Sequence, residues 1–396
     1  MLFTQGQVPD RSLSKQATPF RIWRATYPAL LSLGFLLLWG TSSLCISTAS
    51  AADGTDNPSD RLTPAQWQKI DTAVDRGLKY ISANQQADGS FMAPRSGQPG
   101  ITSLCIMAFL SRGHIPQHGP YGRQLDKAIN FVLVSQQSSG IISLGGSRPN
   151  YHHAISGLML GEAYGQTSGP MSARIKKGID DALAYSRMRQ TLPKRNPQDK
   201  GGWRYHRPYG PNDSDLTASA WNLMFYRSAK NAGFEVPQEY VEDAMGYIKR
   251  SFDPQIGGFV YTLNKSWTEE YYASGATVAG GVVSLAMAGD HNTPMARAAG
   301  DWILKNPFDT YNRRRHPDDR YHYSAYYCSQ AMFLLGGDYW DQFFPTYLET
   351  ITSNQRSTGA WDRESRHESQ MGDVYTTSLM VLSLTPPYQM LPIYQR

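Results

Sequence analysis

The chain has 396 residues, 18% charged and 12% aromatic, with a formal net charge of +5. This is the composition of a globular protein with a sizeable core, not of a disordered or low-complexity chain. Without its basic first 51 residues the body keeps 34 basic against 32 acidic residues, a net charge of +2, which leaves no electrostatic footprint for nucleic acid.

Residues 1–51 read as a targeting segment. Arg11, Lys15, Arg21 and Arg24 precede an apolar run from about Tyr27 to Trp39, and small residues follow, ending Ala49-Ser50-Ala51-Ala52. A basic region, an apolar region and an A-x-A site make a signal peptide. The expectation is an exported protein, periplasmic or secreted, with membrane association through this segment if it is not cleaved. Residues 52–64 read as a linker.

From there the chain repeats. Thr63 and Pro64 open a helix as N-cap and first residue, and Ile70, Val74, Leu78 and Ile81 give it one apolar face. A turn follows, Gln85-Gln86-Ala87-Asp88-Gly89-Ser90-Phe91, and then a small-residue helix over about 102–110. The same order recurs with helices over about 125–136, 173–188, 237–252, 295–305 and 345–354. Each is followed by an almost uncharged partner over 151–164, 216–232, 276–289, 323–335 and 374–384. Further turns are Gln136–Ile141, Asp199–Trp203, Asp253–Phe259 and Gln355–Trp361. Their last glycines step by 51, 62, 56 and 101 residues, so one divergent turn lies in the final step and six helical pairs are expected.

The two helix types imply two layers. Helices polar on one side surround helices apolar all round, which are buried on both faces. An all-α, double-layered α6/α6 toroid fits, spanning residues 65–390. An open solenoid would show polar caps at its ends, whereas the last helix is apolar at Leu379, Val381, Leu382 and Leu384. Beyond the leader only Cys105 and Cys328 remain, in units one and five, and two separate buried thiols are expected.

The Gly–aromatic turns resemble the QW-type repeats of the terpene cyclase and protein prenyltransferase superfamily. Tyr321-His322-Tyr323-Ser324-Ala325-Tyr326-Tyr327-Cys328-Ser329-Gln330 is similar to its aromatic inner-helix stretches. The block Gly201-Gly202-Trp203-Arg204-Tyr205 through Asp213-Ser214-Asp215-Leu216-Thr217-Ala218 to Trp221 resembles bacterial exported prenyltransferase and squalene oxidase repeat proteins. The resemblance covers about residues 65–385 and implies the α6/α6 toroid; a fold alone does not fix chemistry.

The resemblance also offers a catalytic reading. Asp213–Ala218 is similar to the D-x-D-D-T-A motif of squalene–hopene-type cyclases, whose middle carboxylic acid protonates an alkene. On that match Asp215 is the acid, Asp213 its neighbour and His206 a hydrogen-bonding partner. Leu216 stands where the motif has its third Asp, and those cyclases place the site between two helical domains, whereas this chain has one. The competing reading is that Asp213 and Asp215 cap a helix N-terminus. Prenyltransferase zinc sites carry a close Asp-x-Cys pair that neither Cys105 nor Cys328 has. No metal and no cofactor is expected.

The aromatic surplus gives candidate cavity residues: Trp203, Tyr205, Trp221, Tyr261, Tyr271, Tyr323, Tyr326, Trp361 and Tyr375. Core packing between repeats is the plain reading, and a cavity for an apolar or sugar ligand the functional one. Arg313–Arg320, in the divergent fifth turn, reads as a solvated loop with internal ion pairs. The partner expected is an apolar, isoprenoid-type small molecule or an envelope protein. Binding without established turnover, a cyclase-like enzyme, a carbohydrate-active toroid and an interaction scaffold all stay open. The carbohydrate reading requires two carboxylates facing one cavity, with Asp213, Asp215, Glu269, Glu270 and Asp373 available.

Overall fold

A computed structural model describes residues 57–205, 212–264, 272–313, 319–364 and 369–395. The targeting segment, His206, Trp267, Glu269, Glu270 and Tyr271 lie outside the described residues. Twelve helices alternate between two layers among the described residues. The outer ones are α1 (Pro64–Ala83), α3 (Gly122–Val134), α5 (Gly169–Thr191), α7 (Gln238–Arg250), α9 (Pro294–Lys305) and α11 (Gly337–Ser353). The inner ones are α2 (Gly100–Ser111), α4 (Pro149–Tyr164), α6 (Leu216–Asn231), α8 (Gly275–Met287), α10 (Tyr321–Leu335) and α12 (Gly372–Leu384). Each inner helix packs on the next, and α12 packs on α2, so the fold is a closed all-α toroid.

Local chemistry sets the helix ends. Thr63 and Gln66 close a capping box on α1, and Ser274 with Thr277 does the same on α8. α11 departs from the sequence reading, which started it at Pro345. It begins at Gly337 and carries Pro345 inside. A proline usually opens a helix because it has no N–H to satisfy; here the apolar face of Trp340, Phe343, Phe344 and Tyr347 holds the helix through it. Part of the expected linker is also docked: Pro58–Arg61 form a 3-10 turn, and the Ser59 hydroxyl donates to the Pro387 carbonyl at 2.8 Å.

The turns join the layers by one repeated device. The side-chain amide of Gln85 donates to the Gly89 carbonyl (3.1 Å) and to the Gln124 carbonyl of the next outer helix (2.8 Å). Gln136 bridges Gly140 and Gly178, Gln190 bridges Gly201 and Tyr240, and Gln355 bridges Gly359 and Ala73. The last of these closes the ring onto α1. The same glycines need both positive φ and bare space. At Gly201 (φ 87°) an added Cβ would lie 1.9 Å from the Asp243 carbonyl oxygen, and at Gly359 (φ 92°) 2.3 Å from that of Arg76. At the end of each of these turns one residue donates its backbone N–H to an inner-helix side chain: Phe91 to Thr102, Ile142 to His153, Trp203 to Ser219 and Trp361 to Thr377. The fourth turn is instead a small hairpin of two two-residue strands, β1 (Phe252–Asp253) paired antiparallel with β2 (Gly258–Phe259).

Candidate functional site

The N-terminal ends of all six inner helices surround one cavity of about 410 Å3. α2 contributes Ile101 and Leu104, α4 Tyr151, His152 and Ile155, α6 Thr217, α8 Ala276 and Thr277, α10 Tyr323 and α12 Tyr375. Tyr205, Tyr261 and Tyr272 enter from the segments between the layers, and Arg148 and Arg320 from the residues just before α4 and α10. Gly100 lets α2 approach α4, since a Cβ there would meet His152 Nδ1 at 2.6 Å. No Asp or Glu lines the cavity among the described residues.

The tyrosines form a connected wall. The Tyr205 and Tyr261 hydroxyls hydrogen-bond at 2.9 Å, and the Tyr261 and Tyr272 rings lie 5.4 Å apart. Beneath them the buried Arg204 guanidinium sits 5.0 Å from the Tyr205 ring centre and 5.6 Å from that of Tyr261. Burial raises the Tyr151, Tyr205 and Tyr261 phenols above their ordinary value, so they stay neutral donors. Burial lowers His152 to about 4, which leaves it neutral at pH 7.

Asp215 stands one layer behind this wall. It is the N-cap of α6, and its Oδ1 accepts from the Ala218 N–H (2.8 Å), the Tyr151 hydroxyl (2.9 Å) and the Thr217 hydroxyl (3.1 Å). Its Oδ2 lies 3.9 Å from Arg204 Nη1 and has no hydrogen-bond partner among the described residues. The side chain is fully buried. Desolvation by burial outweighs Arg204 and the three donors, so the carboxyl is raised above its ordinary value. Tyr151 and Thr217 therefore separate Asp215 from the cavity while contacting both.

Asp213 does not join Asp215. Burial pushes its carboxyl up, but hydrogen bonds and charge from Arg195 outweigh that and hold it lowered. The Arg195 guanidinium reaches its Oδ1 at 2.6 Å, outside the cavity. Asp373 is likewise taken up by Arg356 and Arg363.

Of the other candidates, Tyr205, Tyr261, Tyr323 and Tyr375 reach the cavity. Trp203, Trp221, Tyr326 and Trp361 do not, because packing between helices claims them; each is at most 2% exposed. Trp203 and Trp361 donate their indole N–H to the Ser186 and Ile351 carbonyls of their own outer helices. Trp221 lies directly under the wall, its indole N–H donating to the Tyr323 hydroxyl at 2.6 Å. Sequence reasoning missed Tyr151, Thr217 and Arg148 as site residues and left Arg320 in a solvated loop. The signal that could have found them is position: each lies in, or just before, the first turn of an inner helix. Cys105 and Cys328 are separate buried thiols, both raised by burial. No group of three or more metal-ligating side chains occurs among the described residues.

No protein-family model matches the chain, and no curated protein matches it. Solved structures do. The type II terpene cyclase MstE from Scytonema, in complex with geranylgeranyl dihydroxybenzoate, aligns with a TM-score of 0.56 at 13% identity, over 83% of this chain and 99% of that one. An inactive variant of the α-1,6-mannanase GH76A from Salegentibacter sp. HEL1_6, in complex with α-1,6-mannotetrose, aligns with a TM-score of 0.59 at 11% identity, over 81% and 99%. A glycosidase variant in complex with glucose aligns with a TM-score of 0.54 at 12% identity, over 84% and 100%. The chain thus has the terpene-cyclase-like α6/α6 toroid fold, which cyclases and glycosidases share.

Proposed function

We propose that the ring cavity binds an isoprenoid-type or similarly apolar small molecule, with the tyrosine wall as its contact surface. One observation carries this reading: six tyrosine rings, with Ile101, Leu104 and Ile155, make up most of the cavity's bulky lining, beside Arg148, His152 and Arg320 and without a carboxylate among the described lining residues. Phenol rings offer apolar faces and polar tips, suited to an apolar body with few polar groups. Glycoside hydrolysis calls for two carboxylates facing one space, and Asp213 and Asp373 are held elsewhere by arginines. That MstE was solved with a geranylgeranyl compound supports the apolar reading. With residues 1–51 acting as an export signal, binding takes place in the cell envelope or outside it.

The test is mass spectrometry of organic extracts from the purified protein after exposure to total membrane lipid. A specifically retained polyisoprenoid is the expected result. A folded protein that retains no apolar compound overturns the proposal and turns attention to glycans or a protein partner.

One observation favours turnover as a second reading: the Tyr151 hydroxyl joins the raised Asp215 carboxyl to the cavity. In that reaction the Tyr151 hydroxyl, which donates to Asp215 in the structure, turns its O–H to an alkene, whose π pair forms the new C–H bond while the acid form of Asp215 passes its proton to the phenolic oxygen in the same step. Asp215 is left as a carboxylate behind Tyr151, and the tyrosine faces hold the carbocation. Asp215→Asn retains the helix cap and removes the acid. Cyclised product formed by the parent from squalene, and lost in that folded variant, is the outcome this reading demands.

A further inference from the structure

The end of the ring opposite the cavity is closed by the chain's last described residues. Leu391, Ile393 and Tyr394 are 3%, 3% and 4% exposed. The Ile393 N–H donates to Glu162 Oε2 of α4 at 3.3 Å, and the Tyr394 phenol hydrogen-bonds that of Tyr326 on α10. α4 and α10 stand three places apart in a ring of six, on opposite sides, so this short segment spans the ring axis. Asn231, at the end of α6, holds the Pro392 carbonyl at 3.5 Å. Above the segment, Tyr326 stacks on Trp221 (5.6 Å, 7° between planes), whose N–H meets Tyr323 of the cavity wall. An aromatic layer thus lies between the cavity and this closure.

We propose that residues Leu391–Gln395 are a plug that makes the toroid a cup rather than a tube, latched by Glu162 so that its seating weakens as pH rises. The latch follows from what surrounds the carboxylate. Ser228 of α6 donates to Oε1 at 2.6 Å and the Ile393 N–H to Oε2. The titratable groups facing it are the Tyr326 and Tyr394 phenols, both raised by burial. No cation pairs with it among the described residues, and no charged side chain of α2, α5 or another packed element shifts it. Burial, opposed by the two donors, pushes the carboxyl up from 4.5 to about 7.

The linkage has one sign. The segment covers Glu162 at the ring's end, so its release admits water to the carboxyl and returns it towards the ordinary 4.5; below that pH the group is protonated in both forms, and seating is strongest. Between 4.5 and about 7 the released form ionises first, so seating weakens; above 7 both forms are ionised and nothing further changes. From pH 5 to pH 8 the seating constant falls by up to about 50-fold, the limit in which release hydrates the carboxyl fully.

Hydrogen exchange on the full chain tests this through the backbone amides of residues 385–395, corrected for intrinsic exchange, at pH 5 to 8. The parent is expected to lose protection across that range, by up to about 50-fold. Glu162→Gln, which can still accept from Ile393, flattens the profile. Tyr394→Phe lowers protection equally at every pH and keeps the parent's slope. A parent profile flat in pH, or a Glu162→Gln profile as steep as the parent's, overturns the latch.

Discussion

Four of the six turns share one design, and the fifth does without it. In the four, a glutamine amide ties its own glycine to the next outer helix, and a backbone N–H docks on an inner-helix side chain. Between α9 and α10 no such glutamine clamp occurs among the described residues. A buried chain of side chains stands there instead: the Tyr311 hydroxyl meets His322 Nε2 at 3.0 Å, and Glu364 Oε1 lies 3.1 Å from His322 Nδ1 and accepts the His322 N–H at 2.7 Å. Glu364 belongs to the sixth turn, so the divergent turn leans on its neighbour. Backbone space does the work in one design, and a buried polar pair does it in the other.

The comparison breaks most visibly where space is filled. Gly201→Ala combines positive φ with a Cβ 1.9 Å from a backbone oxygen, and should cost at least about 3 kcal/mol in urea unfolding. Glu364→Ala tests the other design. It leaves the buried His322 backbone N–H without its acceptor, for about 1–3 kcal/mol; a loss below about 0.5 kcal/mol would show that the fifth turn is held by something else.

A third prediction uses pH. Burial lowers His153 to about 3, and its Nδ1 must stay unprotonated to accept from Ile142. Its contribution is therefore complete above pH 6.5 and is lost as pH falls towards 3. Between pH 7 and pH 5 the parent should lose about 2 kcal/mol more stability than His153→Gln. The smallest effect is expected at Gln355→Ala, about 1–2 kcal/mol for two hydrogen bonds to carbonyls that can partly rehydrate. A larger loss there than at Gly201 would reverse the ranking of space over hydrogen bonding.

Much of this was legible because it is local. Gln85, Gln136 and Gln355 stand four residues before their glycines, the spacing of the turns announces six pairs, and the apolar last helix announces a closed ring. Gln190 was not legible as the same device. α5 runs on to Thr191, and the residues after it place the glutamine eleven positions before Gly201. The His322–Glu364 pair spans 42 residues with no periodic signal. At the site, the sequence offers Tyr205, Tyr261, Tyr323 and Tyr375, which line the cavity, together with tryptophans that do not, and gives no means of separating the two. Which aromatic faces the cavity depends on small rotations of neighbouring helices. Asp215 could be read as a cap or as an acid, and the structure shows both the cap and a phenol joining it to the cavity.

The seam between Gln355 and α1 carries a kinetic consequence. The other clamps join residues 39 to 50 positions apart, whereas this one joins residues 282 apart. Chain closure over that distance costs about 2 kcal/mol more entropy for the same pair of bonds. Assembly is therefore expected to proceed along the chain, pair by pair, with this junction forming last. Until it does, the apolar edges of the first and last pairs stay open to water, and to each other's copies on neighbouring chains.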